Sequence, residues 1–470
     1  MLFKQLTGDM VKRSPLSPAF NRGLVGGLLS CLLFLSFIVN AEQITVAPGT
    51  GSLQTAIDSA KSGDTLILTS GSYIGSININ RSISLLGVSL DSGSDVKGSI
   101  IDGEGSSHVI LVTAPDVLIK NLIIQNSGTV LEDEDSGVFI TDKGDRTRVE
   151  NNYFGNNQIG VYLKGPDSAI VSNNKIIGSQ FHRMNDRGNG VYLWNTPGSI
   201  IKDNDIRYGR DGIFVNGSRN NVFTGNRMSD LRFAIHYMYA HDSEVSNNVS
   251  LNNHVGFALM FSDRILAKGN LSAGDRERGL FFNFANYSII EGNRVTNNVA
   301  SGISHGPEKC VFIYNANFNQ INNNSFEECN IGIHFTAGSE KNEIYANAFI
   351  NNRSQVKYVG TRYIEWSKDG VGNYWSDNAA FDIDDNGIAD QPYKPNDLVD
   401  QIVWRHPLAK LLLNSPSVQI LKWAQAEFPG LHPGGVIDKV PLMSAPPIEA
   451  IDKKFASQNK LTAEGDLTDG

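Results

Sequence analysis

Residues 226–238 read NRMSDLRFAIHYM and residues 248–260 read NVSLNNHVGFALM, two runs that place Asn, an apolar alternation and then Met at the same offsets. The same Asn, followed by a small or apolar pair, recurs at Asn121, Asn152, Asn174, Asn204, Asn270, Asn293, Asn324 and Asn347. Successive spacings are 31, 22, 30, 22, 22, 22, 23, 31 and 23, so the period is about 22 with three insertions of eight or nine residues. The insertions fall around Glu132 to Ser136, Gln180 to Asn189 and Ser304 to Lys309. Within each period a Gly follows the Asn and opens a short alternation, as in Gly160-Val161-Tyr162-Leu163-Lys164 and Gly212-Ile213-Phe214-Val215-Asn216. Alternation over four or five residues is a strand with one buried face. Two or three such strands per 22 residues are too short for helical hairpins, and stacking them buries a core that no repeat could bury alone. The expected architecture is a right-handed parallel β-helix, with Asn side chains at the bends bonding the backbone and their neighbours above and below. A β-propeller needs about 40 residues per blade.

Composition sets the boundaries of function. The 470 residues carry 40 basic and 49 acidic side chains, a formal charge of -9, which argues against a nucleic-acid partner. Lys12, Arg13 and Arg22 precede an apolar run from Leu24 to Val39, and Val39-Asn40-Ala41 suits a signal peptidase, so 1–41 is expected to be an export signal. An uncleaved anchor is the alternative; Leu29, bulky before Cys31, argues against a lipoprotein. The mature chain would then work outside the cytoplasm. Rungs are expected from about Ser76 to Val359, so that 42–361 forms the β-helix. Its N-terminal cap would contain a short helix at Ser52 to Ala60. A C-terminal docking or capping segment would span 362–443, and a mobile acidic tail 444–470.

The register turns spacing into direction. Val191/Leu193, Ile213/Val215, Ile235/Tyr237 and Phe257/Leu259 form the inward ladder. The intervening residues then point out: Tyr162/Lys164, Tyr192/Trp194, Phe214/Asn216, His236/Met238, Ala258/Met260, Phe281/Asn283, Phe312/Tyr314 and His334/Thr336. Exposed apolar surface of this extent marks a partner or ligand site, and Tyr192, Trp194, Phe214, Phe281, Phe312 and Tyr314 are the candidate partner-binding residues. Met238 and Met260 occupy equivalent points of adjacent rungs, about 4.8 Å apart. With His236 on the same face and His241 or His254 in the bends, two thioethers suit a soft ion such as Cu(I); filling an uneven surface is the alternative. His182 and Met184, in the second insertion, could add soft ligands from a loop. Met228 falls on an inward position and belongs to the core.

Cys310 and Cys329 lie one rung apart. They have three possible states, disulfide, reduced or metal-bound, and reduced is the first expectation because their bend positions differ. Asp382, Asp384, Asn386 and Asp390 place oxygen ligands at alternate positions around Gly387, as at the opening of a calcium loop, although Tyr393 stands where the bidentate acid belongs. An Asx-rich turn is the alternative. Leu408 to Trp423, interrupted by Pro416, fits two short amphipathic helices.

The runs IHYMYAH (235–241), EKCVFIYNAN (308–317), IGIHFTAGSE (331–340), SQVKYVGTR (354–362), GNYWSDNAAFD (372–382) and PYKPNDLVDQIVWRHPLAKLLLNSP (392–416) resemble the NosD family of periplasmic β-helical proteins. The resemblance extends from the repeats to about Met443. It implies an accessory protein, not a catalyst, acting with an ABC transporter built of an ATPase and a membrane permease and with a copper-chaperone lipoprotein. The implied task is delivery of copper, transiently held as Cu(I), and of sulfur if it too is handled, to the copper-sulfur centre of apo nitrous oxide reductase. The implied location is the periplasm, at the inner membrane through the transporter. The chain has no phosphate-binding glycine loop followed by Lys and Ser or Thr, so ATP hydrolysis would belong to the partner. Two other readings stand beside this one: a passive scaffold of the same complex, and a polysaccharide lyase or epimerase drawing on His236, Tyr237 and Arg264.

Overall fold

A computed structural model describes residues 41–88, 98–297, 307–336, 338–358, 360, 362–396, 398–412, 415–428 and 434–447. The apolar run at 24–39, residues 304–306 of the third insertion and the tail beyond 447 lie outside the described residues.

The chain winds as a parallel β-helix, in which each turn contributes one strand to each of three long parallel sheets. The first runs from Gln43–Val46 to Glu343–Tyr345, the second from Gly49–Thr50 to Tyr374–Trp375, and the third from Ile77–Ile79 to Val356–Tyr358. A single buried apolar core fills the tube along its length. The helix Ser52–Ser59 covers its start, burying Leu53 and Ile57.

An amide ladder sets the period. From Asn152 through Asn174, Asn204, Asn226, Asn248, Asn270, Asn293, Asn324 and Asn347 to Asn373, each buried side chain bonds the next. At Asn248, Oδ1 accepts from the Asn226 backbone N–H at 3.0 Å and from Asn226 Nδ2 at 2.9 Å. Its Nδ2 donates to the Phe223 carbonyl at 2.8 Å and to Asn270 Oδ1 at 3.0 Å. All of its amide capacity is thus used inside the core. The residue before each ladder Asn from Asn152 to Asn347 turns the corner with positive φ, from Asn151 at 54° to Ala346 at 54°. Asn121 is one such corner residue, with φ 60°, and Leu122 takes the ladder position by donating its N–H to Asn152 Oδ1 at 3.0 Å. The sequence periodicity therefore misplaces the first rung by one residue.

Cys310 and Cys329 form a disulfide, with Cα atoms 5.7 Å apart, which corrects the reduced expectation. Cys310 lies in the strand Lys309–Tyr314 and Cys329 in the bend after Ser325–Glu327, and the two converge inside one corner. Nineteen residues separate them, as they separate Gly256 from Asp275, and a Cβ on Gly256 would lie 2.7 Å from Asp275 Oδ2.

The C-terminal segment closes the far end. Asp438 accepts from the Asn373 N–H at 2.7 Å and from Trp375 Nε1 at 2.9 Å, ending the ladder, and Gly435–Ile437 pairs with Tyr363–Glu365. Instead of interrupting a helix, Pro416 starts one, Pro416–Glu427, behind the Ser415 cap; proline suits that position because its missing N–H would go unused there. The earlier helix Leu398–Arg405 and the 3-10 turn Pro407–Leu412 complete the segment.

Two outcomes follow for stability. Asn248→Ala strands the Asn226 donors in an apolar interior and should cost roughly 2–4 kcal/mol in equilibrium urea denaturation; a cost below about 0.5 kcal/mol contradicts the ladder's role. Asp275, fully buried, is pushed up to about 6 by burial, against the hydrogen bonds from Ser250, Ser272 and Asn253. A folded value above the unfolded one means stability that is complete below about pH 4 and lost as pH rises through about 6. Asp275→Asn should therefore gain thermal stability relative to the native protein between pH 4 and 7 and then level off. A difference independent of pH contradicts this.

Candidate functional site

The outer surface of the third sheet carries the sites. Strand pairing places Tyr162, Tyr192, Phe214, His236, Ala258, Phe281, Phe312, His334 and Lys357 in one column, and Lys164, Trp194, Asn216, Met238, Met260, Asn283 and Tyr314 in the next. Along the first column the rings of Phe139, Tyr162, Tyr192, Phe214 and His236 follow one another at centroid distances of 4.4 to 5.0 Å, Phe139 meeting Tyr162 edge-on and His236 tilted to Phe214, and His108 stacks on Phe139 at 4.2 Å. Ala258 interrupts the stack, and Met260 packs against the apolar cluster it shares with Val255 and Phe281. The column is not uniformly open. The first insertion folds over it at Tyr162, whose hydroxyl bonds Glu134 at 3.1 Å, and Phe281 is buried beneath the Arg278 guanidinium at 4.6 Å. Trp194 and Tyr314 remain exposed.

Met238 and Met260 are direct register partners, both half-buried, on the outward face. His236 lies two residues before Met238 on the same side of the same strand. Its Nδ1 bonds Asp211 Oδ2 at 3.0 Å, Phe233 stacks on the ring at 4.5 Å and Phe214 lies tilted against it at 4.9 Å. Asp211 is fully buried and also receives Arg232, Nε on Oδ1 at 2.9 Å and Nη2 on Oδ2 at 2.7 Å. Burial alone would raise this carboxyl; the bonds from His236 and Arg232 outweigh it and hold it below the usual range. The sequence reading passed over Asp211 and Arg232. Their signal was a carboxylate opening a strand, at a level where the next two rungs carry Phe233 and Val255.

The remaining candidate ligands lie elsewhere. His241 sits in the bend between the third and first sheets, where its Nδ1 accepts the Asp263 N–H at 3.1 Å. His254 sits in the opposite bend, six residues before Met260, roughly 20 Å along an extended strand. There it lines a cleft of about 260 Å³ with Met184, Arg187 and Arg276, and burial and then Arg276 lower its basicity. The second insertion therefore folds towards His254 and away from the Met pair, while His182 stays exposed. Asp382, Asp384, Asn386 and Asp390 share one exposed loop, in which Asp382 accepts the Asn386 and Gly387 N–H groups at 3.1 and 2.7 Å. Tyr237 is wholly buried and Arg264 is paired with Asp242, so neither joins His236 in a catalytic set.

A second feature adjoins the Met pair. The bend residue that follows the Met238 column is Gly217 with φ 62° in one rung, but Tyr239, Phe261 and Phe284 in the next three, with φ 51°, 49° and 52°. Aromatic residues rarely adopt this left-handed conformation. Their rings stack at 5.1 and 5.2 Å, and Tyr239 and Phe284 are 52% and 41% exposed. Strained backbone beneath exposed apolar rings makes this bend a candidate functional surface.

These features define a parallel β-helix whose third sheet presents soft and aromatic side chains outward. Comparison with known proteins carries the identification further: the chain belongs to the NosD family. The family model described as "Periplasmic copper-binding protein (NosD)" matches residues 172–380. A relative from Stutzerimonas stutzeri, named "Probable ABC transporter binding protein NosD", is 39% identical over 364 residues, covering 76% of this chain and 83% of that one. A relative of the same name from Pseudomonas aeruginosa is 38% identical over 388 residues, covering 81% and 89%. Among solved structures, the Yersinia enterocolitica family 28 exopolygalacturonase aligns over 68% of this chain and 77% of that one at TM-score 0.48 and 11% identity. The Dettilon tailspike protein aligns over 69% and 67% at TM-score 0.46 and 16% identity. No helix among the described residues is long and apolar enough to cross a membrane.

Proposed function

We propose that this protein handles Cu(I) in the periplasm, on Met238, Met260 and His236, during assembly of the copper-sulfur centre of nitrous oxide reductase. The observation that carries the reading is the register match of the two Met residues on the outward face, with His236 beside them. The family description as periplasmic copper-binding supports it. Thioethers are neutral and soft, so copper exchanges on and off them without proton release, as a relay requires. A copper-chaperone lipoprotein would dock on the aromatic bend beside the pair and apo nitrous oxide reductase would receive the ion. An ABC transporter of ATPase and permease would drive release from the inner membrane. The names of the relatives support the transporter link. Exposed Leu408, Leu411, Ile420 and Trp423 supply an apolar surface for the permease. Loop 382–390 keeps the ligand spacing of a calcium loop, while its Asp382 oxygens accept the Asn386 and Gly387 N–H groups as the Asx-turn alternative requires; nucleic acid has no place in the scheme.

Met238→Leu/Met260→Leu should preserve the fold, because Leu fills similar volume. It should weaken Cu(I) binding at least tenfold in competition with a chelator, and leave the reductase without the visible spectrum of its catalytic cluster. Unchanged affinity refutes the assignment, and lost reductase spectrum with unchanged affinity favours the scaffold reading.

The aromatic bend gives a separate test. Replacing Tyr239, Phe261 and Phe284 together by Gly relieves left-handed strain while removing the stacked rings, so stability should change by less than about 1–2 kcal/mol. Binding of the copper chaperone should fall sharply in the same variant. Full chaperone binding contradicts the docking surface.

A further inference from the structure

Three imidazoles near the outer face differ in what their Nδ1 atoms do, and only one is arranged as a ligand. The His334 Nδ1, in the same column as His236, is buried without a hydrogen-bond partner. The His241 Nδ1 accepts a backbone N–H, so neutral His241 carries its proton on Nε2 and has no lone pair there. The His236 Nδ1 faces a carboxylate oxygen, which only accepts, so neutral His236 carries its proton on Nδ1 and keeps a lone pair on Nε2.

We infer that Asp211 is a positioning residue for the soft-metal site: it fixes His236 with Nε2 free to bind alongside Met238 and Met260, and Arg232 holds Asp211 in place. The inference rests on the copper reading above and deepens it. Each degree of freedom of the imidazole is constrained by a neighbour. Phe233 stacks on the ring and Phe214 lies tilted against it from the rung before. The carboxylate sets the tautomer, and that carboxylate is pinned by two guanidinium bonds at 2.9 and 2.7 Å. Phe233 in turn lies under the Arg232 guanidinium at 4.9 Å, so the aromatic contacts and the ion pair brace one another. At the Asp211 level the register continues through Phe233, Val255, Arg278 and Lys309, and His334 has Lys309 and Ile331 there in place of a carboxylate. A carboxylate behind a metal-binding imidazole raises its donor strength and fixes its direction, and losing it typically costs 10–100-fold in affinity.

The test uses the mature full-length protein. Nitrogen-15 correlation spectra of the apo protein, followed upward in pH until the neutral ring signals are reached, should show His236 protonated at Nδ1 and His241 at Nε2. In Asp211→Asn the single amide oxygen is taken by Arg232 and the amide N–H faces the ring. His236 should then shift towards the Nε2-protonated form, and Cu(I) affinity should fall at least tenfold. In a His236→Gln background the same Asp211→Asn change should alter affinity less than twofold, which a merely structural role would not produce. Native His236 protonated at Nε2, or equal losses with and without His236, overturns the inference. The native spectrum decides the matter even if Asp211→Asn does not fold. Absence of Cu(I) binding by the native protein would instead overturn the copper reading, a result separable from the tautomer.

Discussion

The amide ladder from Asn152 to Asn373 is the constraint on which the rest of the molecule depends. A buried primary amide has two donors and an acceptor to satisfy, and here the partners are its own kind one rung away. This ties the backbone of every turn to the next at a fixed height. The ladder runs unbroken across all three insertions of eight or nine residues. Once height is fixed, side chains of the third sheet fall into columns, and a residue type repeated at the period becomes a contiguous surface. The two thioethers meet for this reason alone: they are twelve residues beyond consecutive ladder positions.

Fixed columns also let strain accumulate where it is useful. The bend that holds Tyr239, Phe261 and Phe284 is built to suit glycine, as Gly217 shows, and ring stacking between rungs compensates the left-handed backbone. The ladder supplies the rigidity that such a surface needs. The same rigidity presents His236, whose aromatic contacts come from its own rung and the one before.

Periodicity made the architecture and the outward columns legible, since both depend only on counting. It was less informative at corners. Asn121 takes the left-handed bend and leaves Leu122 at the ladder position, because an Asn suits either place and only hydrogen bonds tell the two apart. The cysteine pair escaped for a related reason: Cys310, inside the strand Lys309–Tyr314, and Cys329, in the bend after Ser325–Glu327, point into one corner of the tube. Spacing along a strand placed Met238 and Met260 side by side, whereas proximity in sequence did not bring the other candidate ligands to them. His241 and His254 lie in bends on opposite sides of the third sheet, and the second insertion carries Met184 to the His254 side. Asp211 was invisible to a search for soft donors because its role runs through His236.

The relatives are named as binding proteins and not as enzymes, which fits an outward thioether pair that carries an ion. A relay station needs donors that bind briefly, with one oriented nitrogen to give direction. X-ray absorption at the copper edge on the Cu(I)-loaded native protein tests this most directly. The account predicts a first shell of two sulfur atoms and one imidazole nitrogen; a shell of oxygen and nitrogen alone, without sulfur, would contradict it.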